Sequence, residues 1–277
     1  MPESDDLSIN GLRIRSYDWG GTGDPIVVLH ATGFHGRAYR PIVEALTDIG
    51  HVWSYDQRGH GESEAPSELE RYNCALTMAD LRGFIAAMGW KGVRAFGHSA
   101  GATAIGSLAF EQAEFISSAV LAEPVVFELP EAPKPGWRHP LVERTLKRRR
   151  FFDSIDAMFA NFENKPPYNT WNREMLRDYC EWGTRVNDEG KRELKCPPEI
   201  EARLYETSPD FDGLSRIIRA ETPMLIMFGN RSDSFGLSPR IGRERKAGRV
   251  INVSDAGHFL PMEKPGLVSK LAIDFFK

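Results

Sequence analysis

Gly97-His98-Ser99-Ala100-Gly101 is the stretch on which the reading of this chain turns. Val93-Arg94-Ala95-Phe96 before it reads as a short buried strand, and Ala102-Thr103-Ala104-Ile105-Gly106-Ser107-Leu108-Ala109 after it as a small-residue helix. A G-x-S-x-G sequence wedged between strand and helix predicts the sharp turn called a nucleophile elbow. Its glycines let neighbouring backbone approach a strained turn that points the serine oxygen out of the sheet edge. The pentapeptide alone is weak, because Gly, Ser and Ala are common in ordinary turns; the flanking strand and helix carry the reading.

Outward from the elbow the chain alternates strand and helix. Leu7 to Trp19 alternates around Asn10-Gly11 and predicts a β-hairpin, which Gly20-Gly21-Thr22-Gly23-Asp24-Pro25 ends. Ile26-Val27-Val28-Leu29 is a continuous apolar run, typical of a strand buried on both faces. Further strands are predicted at 51–55, 93–97, 118–122, 223–228 and 249–253, and helices near 39–48, 77–88, 101–112, 238–246 and 265–276. Such alternation predicts an α/β fold, a mostly parallel sheet with helices on both faces. At 277 residues the chain has the length for one large α/β domain or for a core carrying an insertion.

The segment from about 124 to 216 breaks the rhythm. It opens with Pro124, Pro130, Pro133 and Pro135, then carries helical patterns and no second run of buried strands. Aromatics are dense in it: Trp137, Phe151, Phe152, Phe159, Phe162, Tyr168, Trp171, Tyr179 and Trp182. A stripe of them is more often core than binding surface. An insertion leaving the sheet at its carboxyl edge would nevertheless hang over Ser99. The expected division is a core of residues 1–123 and 217–277 and a helical cap of residues 124–216, part of whose apolar face lines a pocket. Lys147-Arg148-Arg149-Arg150 is a basic cluster inside it; Glu143, Asp153 and Asp156 balance it, which favours a solvated helix face over a nucleic-acid patch.

A serine hydroxyl is a poor nucleophile without a base to remove its proton. His258, in Asp255-Ala256-Gly257-His258-Phe259-Leu260, follows the strand at 249–253 and so falls on a loop at the sheet edge where Ser99 emerges. His30, His35, His51, His60, His98 and His139 compete with it. His30 ends a strand and His60 sits in a Gly-rich turn, where histidine usually satisfies local hydrogen bonds; His98 is expected to point away from Ser99. The imidazole needs a carboxylate on its second nitrogen to fix its tautomer and stabilise its charged form. Asp233, in Gly229-Asn230-Arg231-Ser232-Asp233, follows the strand at 223–228 and is the preferred acid. Glu123, ending the strand at 118–122, is the alternative, and Asp255 lies too close to His258 in the chain. The order Ser99, Asp233, His258 is that of a Ser-Asp-His triad on this architecture. Acyl transfer also needs donors for a developing oxyanion. Ala100 N–H is one, and the loop His30-Ala31-Thr32-Gly33-Phe34-His35-Gly36 supplies the other, with Thr32 N–H preferred over Gly33 and Phe34.

Composition narrows the partners. Hydrophobic content of 41% and charged content of 27% are those of an ordinary soluble globule. A net charge of −4 makes no electrostatic case for nucleic acid or an anionic membrane. Cys74, Cys180 and Cys196 lack C-x-x-C spacing, which predicts reduced thiols in a cytosolic protein rather than disulfides or a zinc site. Met1-Pro2-Glu3-Ser4-Asp5-Asp6 is acidic with no apolar stretch, so no secretory signal is expected, and no run has membrane-spanning length. The expectation is a cytoplasmic monomer or homodimer that acts on a small molecule and uses neither cofactor nor metal.

Through these motifs the chain resembles the α/β-hydrolase superfamily over essentially its whole length. The elbow is similar to that family's nucleophile motif, His30-Ala31-Thr32-Gly33 to its His-Gly oxyanion loop, and Asp56-Gln57-Arg58-Gly59-His60-Gly61-Glu62-Ser63 to the turn after its fourth strand. Gly229–Asp233 resembles its acid loop and Gly257-His258 its base loop. Ala31 departs from the family's usual glycine, and its β-carbon bears on which donor the loop presents. The resemblance implies the α/β-hydrolase fold, with an eight-stranded, mostly parallel sheet and a helical cap inserted after the sixth strand. Some relatives take their acid from the end of that strand, which keeps Glu123 open. It further implies a serine hydrolase cleaving a carboxylic ester, lactone or thioester of a small to medium apolar substrate through an acyl-enzyme. Serine at the elbow speaks against haloalkane dehalogenases and epoxide hydrolases, which use aspartate there. A carbon–carbon bond hydrolase and a hydroxynitrile-lyase-like enzyme share the same triad and stand as alternatives. A non-catalytic small-molecule receptor is disfavoured, because all three triad residue types are present.

Overall fold

The computed structural model describes residues 1–128 and 139–277. Asn10 and Gly11 both take left-handed backbone, φ 51° and 74°, as a tight hairpin turn requires, and join β1 (Glu3–Ile9) to β2 (Leu12–Gly20). β1 begins ahead of Leu7 because Arg13 and Arg15 on β2 hold Asp6 across the hairpin, at 3.2 and 2.7 Å. The chain continues through β3 (Pro25–Leu29), β4 (His51–Tyr55), β5 (Val93–His98) and β6 (Ile116–Ala122). Three short strands follow, β7 (Phe151–Phe152), β8 (Thr184–Val186) and β9 (Arg192–Leu194), and then β10 (Met224–Gly229) and β11 (Gly248–Val253).

Eight of these strands form one sheet in the order β1-β2-β4-β3-β5-β6-β10-β11. The pairs β1–β2 and β2–β4 are antiparallel, and every other pair is parallel. The strand period of two sorts side chains onto two separate cores. Ile26, Val28, Val120, Leu225 and Met227 join one apolar cluster, and Val27, Leu29, Ala119, Leu121, Ile226 and Phe228 join the other. The helices Arg40–Leu46 and Pro265–Phe276 cover the first face through Ile42, Leu46, Val268 and Ala272. Cys74–Ala87, Ala100–Glu111 and Ser238–Glu244 cover the second through Phe84, Ile105 and Ile241. The helix expected from 77 begins earlier because Asn73 Oδ1 accepts from Leu76 N–H at 3.0 Å, a side-chain cap.

Between β6 and β10 lie the helices Pro140–Leu146, Ile155–Phe162, Arg173–Trp182 and Pro198–Thr207. They are accompanied by an antiparallel sheet of order β7-β9-β8, an addition to the helical segment expected there. Strands of two or three residues are too short to leave an alternation in sequence. This segment shares a core with the first face: Phe34 packs its ring against Trp171, Tyr179 and Phe259 at centroid distances of 5.4, 5.0 and 6.0 Å. The helix Gly213–Arg219 belongs to the sheet instead. A β-carbon on Gly213 would lie 2.6 Å from Thr103 Cγ2, and one on Gly106 would lie 2.6 Å from Ile217 Cγ1. The expected boundary at 216 therefore cuts a helix that packs on the elbow helix. Trp137, one of the aromatics noted in this segment, lies outside the described residues.

Candidate active site

Parallel pairing brings the carboxyl ends of the central strands to one rim: His98 pairs with Ala122, Met227 with Ala122, and Gly229 with Val253. The residues that follow are Ser99, Glu123 and the loops carrying Asp233 and His258. Ser99 takes φ 55°, ψ −122° between β5 and its helix, a conformation costing a non-glycine residue about 1–3 kcal/mol. The flanking glycines make that turn sterically feasible. A β-carbon at Gly97 would sit 2.6 Å from Ala102 Cα, and one at Gly101 would sit 2.5 Å from the Leu29 carbonyl oxygen. Ser99 is buried, and its Oγ lies 2.9 Å from His258 Nε2, so two residues 159 apart in the chain meet.

The other ring nitrogen separates the two candidate acids. His258 Nδ1 lies 3.4 Å from Glu123 Oε2, and the Glu123 side chain is fully buried. Glu123 takes a left-handed φ of 52° immediately after β6, which turns its carboxylate toward the imidazole. Its Oε1 accepts from Gly229 N–H, and its Oε2 accepts from Ser232 Oγ at 2.5 Å. Asp233, the preferred acid, is exposed, and among the described residues it makes no hydrogen bond or ion pair with His258. The turn after β10 explains this correction. Asn230 N–H bonds Val253 O, Arg231 N–H bonds Ala256 O and Ser232 N–H bonds Gly229 O, at 2.9, 2.9 and 3.0 Å. That tight turn aims Ser232 inward at Glu123. Asp233 then begins the 3-10 turn Asp233–Leu237 at the cavity rim.

In the loop after β3, three of the four N–H groups from Ala31 to Phe34 are committed among the described residues. Ala31 N–H donates to Tyr39 Oη at 3.1 Å, Gly33 N–H to His60 Nε2 at 3.0 Å, and Phe34 N–H to Ala31 O at 3.1 Å. Among the described residues Thr32 N–H has no acceptor, and Thr32 lines the same cavity as Ser99 and Ala100. Ala100 opens the elbow helix, where N–H groups lack intrahelical acceptors.

Four of the histidines that compete in sequence, His30, His35, His60 and His98, are held neutral by burial. His30 Nε2 accepts from Gln57 N–H at 2.9 Å while its Nδ1 faces Ala31 O at 2.8 Å, and burial pushes its pKa well below the usual value. His60 is likewise lowered by burial. His98 has a role that its sequence position hides. Its Nε2 faces the His258 carbonyl oxygen at 2.8 Å, so that nitrogen carries the proton, and Nδ1 accepts from Tyr39 Oη at 2.7 Å. Burial, with His258 adding to it, brings His98 down to about 3. A hydrogen-bond chain Ala31–Tyr39–His98–His258 therefore ties the loop after β3 to the loop carrying His258, behind the Ser99–His258 contact. Tyr39 carries no sequence signal for this.

Ser99 opens into a cavity of about 580 Å3. Its floor is Ala31, Thr32, Ala100 and His258, and its walls include Val125, Phe127, Leu141, Phe162, Tyr168 and Leu204. Of the aromatics singled out in sequence, Phe162 and Tyr168 face this cavity, whereas Phe152 and Trp171 are buried in the core cluster. The basic cluster divides: Lys147 pairs with Glu143 and Arg149 with Asp153, but Arg148 turns inward. It donates to Glu201 Oε2 at 2.6 Å and to Tyr179 Oη, and both Arg148 and Glu201 line the cavity.

The model of the alpha/beta hydrolase family matches residues 26–271, and the chain belongs to that family. A soluble epoxide hydrolase from Corynebacterium sp. strain C12 is 24% identical, over 97% of this chain and 95% of that protein. Among solved structures, E-2-(acetamidomethylene)succinate hydrolase superposes with a TM-score of 0.82 at 21% identity, covering 99% of each chain. The thioesterase domain from the curacin biosynthetic pathway follows at 0.81 and 18% identity, also over 99% of each. Both share the fold. Among the described residues no helix is long and apolar enough to cross a membrane.

Proposed function

We propose that this protein is a cofactor-independent serine hydrolase that cleaves a carboxylic ester of an apolar small molecule, with Ser99 as nucleophile, His258 as base and Glu123 as the carboxylate partner of His258. The observation that carries this reading is the 2.9 Å contact between Ser99 Oγ and His258 Nε2 on a serine held in strained backbone. In the reaction Ser99 Oγ attacks the ester carbonyl while His258 Nε2 takes its proton, and Glu123 stabilises the imidazolium. Thr32 and Ala100 N–H groups hold the tetrahedral oxyanion, each supplying on the order of 3 kcal/mol. His258 then protonates the leaving alcohol, and it later activates the water that releases the acid from Ser99. The described residues from 139 to about 212 act as the cap that walls this pocket. The epoxide hydrolase relative does not carry its reaction over, because serine here replaces the aspartate expected of that chemistry.

The test is turnover of p-nitrophenyl acetate together with labelling by a fluorophosphonate probe. The expected result is an adduct on Ser99 and loss of turnover in Ser99→Ala. Equal rates in the variant and the native protein would remove Ser99 from the mechanism.

A further inference from the structure

Among the described residues five charged side chains line the cavity over Ser99: Arg144, Arg148, Lys165, Glu201 and Asp233. Arg148 and Glu201 neutralise each other at 2.6 Å, and Tyr205 Oη donates to the second Glu201 oxygen at 3.3 Å. What is left is polarised. Arg144 and Lys165 stand on the overhanging segment, and Asp233 stands on the sheet side, on the loop after β10. In a chain of net charge −4, this is a local reversal of sign at the outer wall of the cavity.

The two cations also depart from the habit of their neighbourhood. Arg149, Arg150, Arg173, Arg177 and Arg185 each have a carboxylate within 4.0 Å. Arg192 has none, but it donates to Thr184 Oγ1 and to backbone carbonyls. Among the described residues Arg144 has no ion-pair or hydrogen-bond partner, and Lys165 Nζ meets only the neutral Asn161 Oδ1 at 2.6 Å. Arg144 stands on the helix Pro140–Leu146 and Arg148 follows just past its end, and both line the cavity. The same lining carries apolar side chains, Phe127, Leu141, Phe162 and Leu204 among them. A ligand that satisfies the whole cavity has an apolar spacer with a negative group at the far end.

From this we infer that the substrate is an ester with a carboxylate on its acyl portion, remote from the scissile carbonyl, and that Arg144 and Lys165 hold that carboxylate at the cavity mouth. The inference rests on the serine-hydrolase reading above and specifies its substrate class. Asp233 contributes by repulsion: it disfavours the reversed orientation, which would put the carboxylate beside His258. Both cations are exposed, so each contact is screened by water and salt.

The experiment compares mono-p-nitrophenyl adipate with its methyl ester, which differ only in the remote charge. At low ionic strength the free acid is expected to have the lower KM, and added salt to narrow the gap. Arg144→Gln and Lys165→Gln should each cut the acid-to-methyl-ester ratio of kcat/KM about threefold. Lys147→Gln, which removes a neighbouring cation paired outside the cavity, should leave the ratio where it was. No preference for the acid, or variants that depress both esters equally, would overturn the assignment. Failure of the parent reading looks different: neither ester turned over, or Ser99→Ala as fast as the native protein. In that case calorimetric binding of monomethyl adipate still decides, since Arg144→Gln must weaken it for the anion site to stand.

Discussion

The sheet rim and the segment above it are built on different principles. At the rim, Ser99, Glu123 and His258 leave three parallel strands whose register sets their spacing, and the polar atoms around them hydrogen-bond to one another. Tyr39, His98 and Glu123 are all fully buried. The overhanging segment instead leans on ion pairs such as Arg150–Glu193, Arg173–Glu163 and Arg40–Asp178, at 2.8 Å each. Its strands are two or three residues long. Backbone ladders fix where the side chains at the rim leave the sheet, whereas exposed pairs of long charged side chains can be exchanged at small cost. The proposed division puts chemistry at the rim and selection in the segment above it.

The sharpest way to break that division is to exchange the two carboxylates. Glu123→Gln keeps the shape of the rim but removes the charge beside His258, and kcat is expected to fall about 10³- to 10⁴-fold. Asp233→Asn should stay within about threefold of the native rate, as expected for a screened charge at the rim. The opposite pattern on p-nitrophenyl acetate would return the acid to the loop after β10. Adding Ser232→Asp to Glu123→Gln sharpens the point. Ser232 Oγ already lies 2.5 Å from the Glu123 oxygen nearest the imidazole, so part of the lost rate should return.

The hydrogen-bond chain behind the site has a smaller expected effect. Tyr39→Phe leaves Ala31 N–H without its acceptor and His98 Nδ1 without its donor. An unsatisfied buried group costs about 1–3 kcal/mol. Part of that loss should appear as a kcat about tenfold lower with KM unchanged, because the chain orients the base without touching substrate. A KM change at constant kcat would place Tyr39 in binding instead.

Buried histidines compare the regions through pH. His98 lies at the rim, and His35 stacks on Tyr179 of the overhanging segment at 6.2 Å; burial first of all holds each down at about 3. In the unfolded chain these rings titrate near 6.5, so between about 6.5 and 3 the unfolded state binds protons that the folded state refuses. Stability therefore falls as pH drops through that window, by about 1.4 kcal/mol per unit for each ring. Urea midpoints measured at pH 7 and pH 5 should separate accordingly, and the separation should shrink in His35→Gln. A slope unaltered by that substitution would mean that His35 accepts a proton in the fold. Least affected should be Lys147→Ala, which removes an exposed pair with Glu143 worth at most about 0.5 kcal/mol.

Much of this architecture was legible from residues alone. Hydrophobic runs at Ile26–Leu29, Val93–Phe96 and Met224–Phe228 required strands buried on both faces, and their alternation with helices implied the parallel sheet. Parallel order by itself carries Ser99, His258, Asp233 and Glu123 to one edge. Local pattern reaches that far because burial is periodic in the chain. The small sheet β7-β9-β8 escaped it, since strands that short show no period.

Tertiary structure alone decided which carboxylate faces the imidazole. Both candidates end a strand at the same rim, so sequence position cannot separate them. The outcome depends on a left-handed residue at 123 and a turn after Gly229 that two bonds, to Val253 and Ala256, tie to partners more than twenty residues away. The same holds for Tyr39 behind His98 and for the inward turn of Arg148. Side-chain direction at a strand end is set by torsions that long-range contacts select, and no local periodicity encodes them.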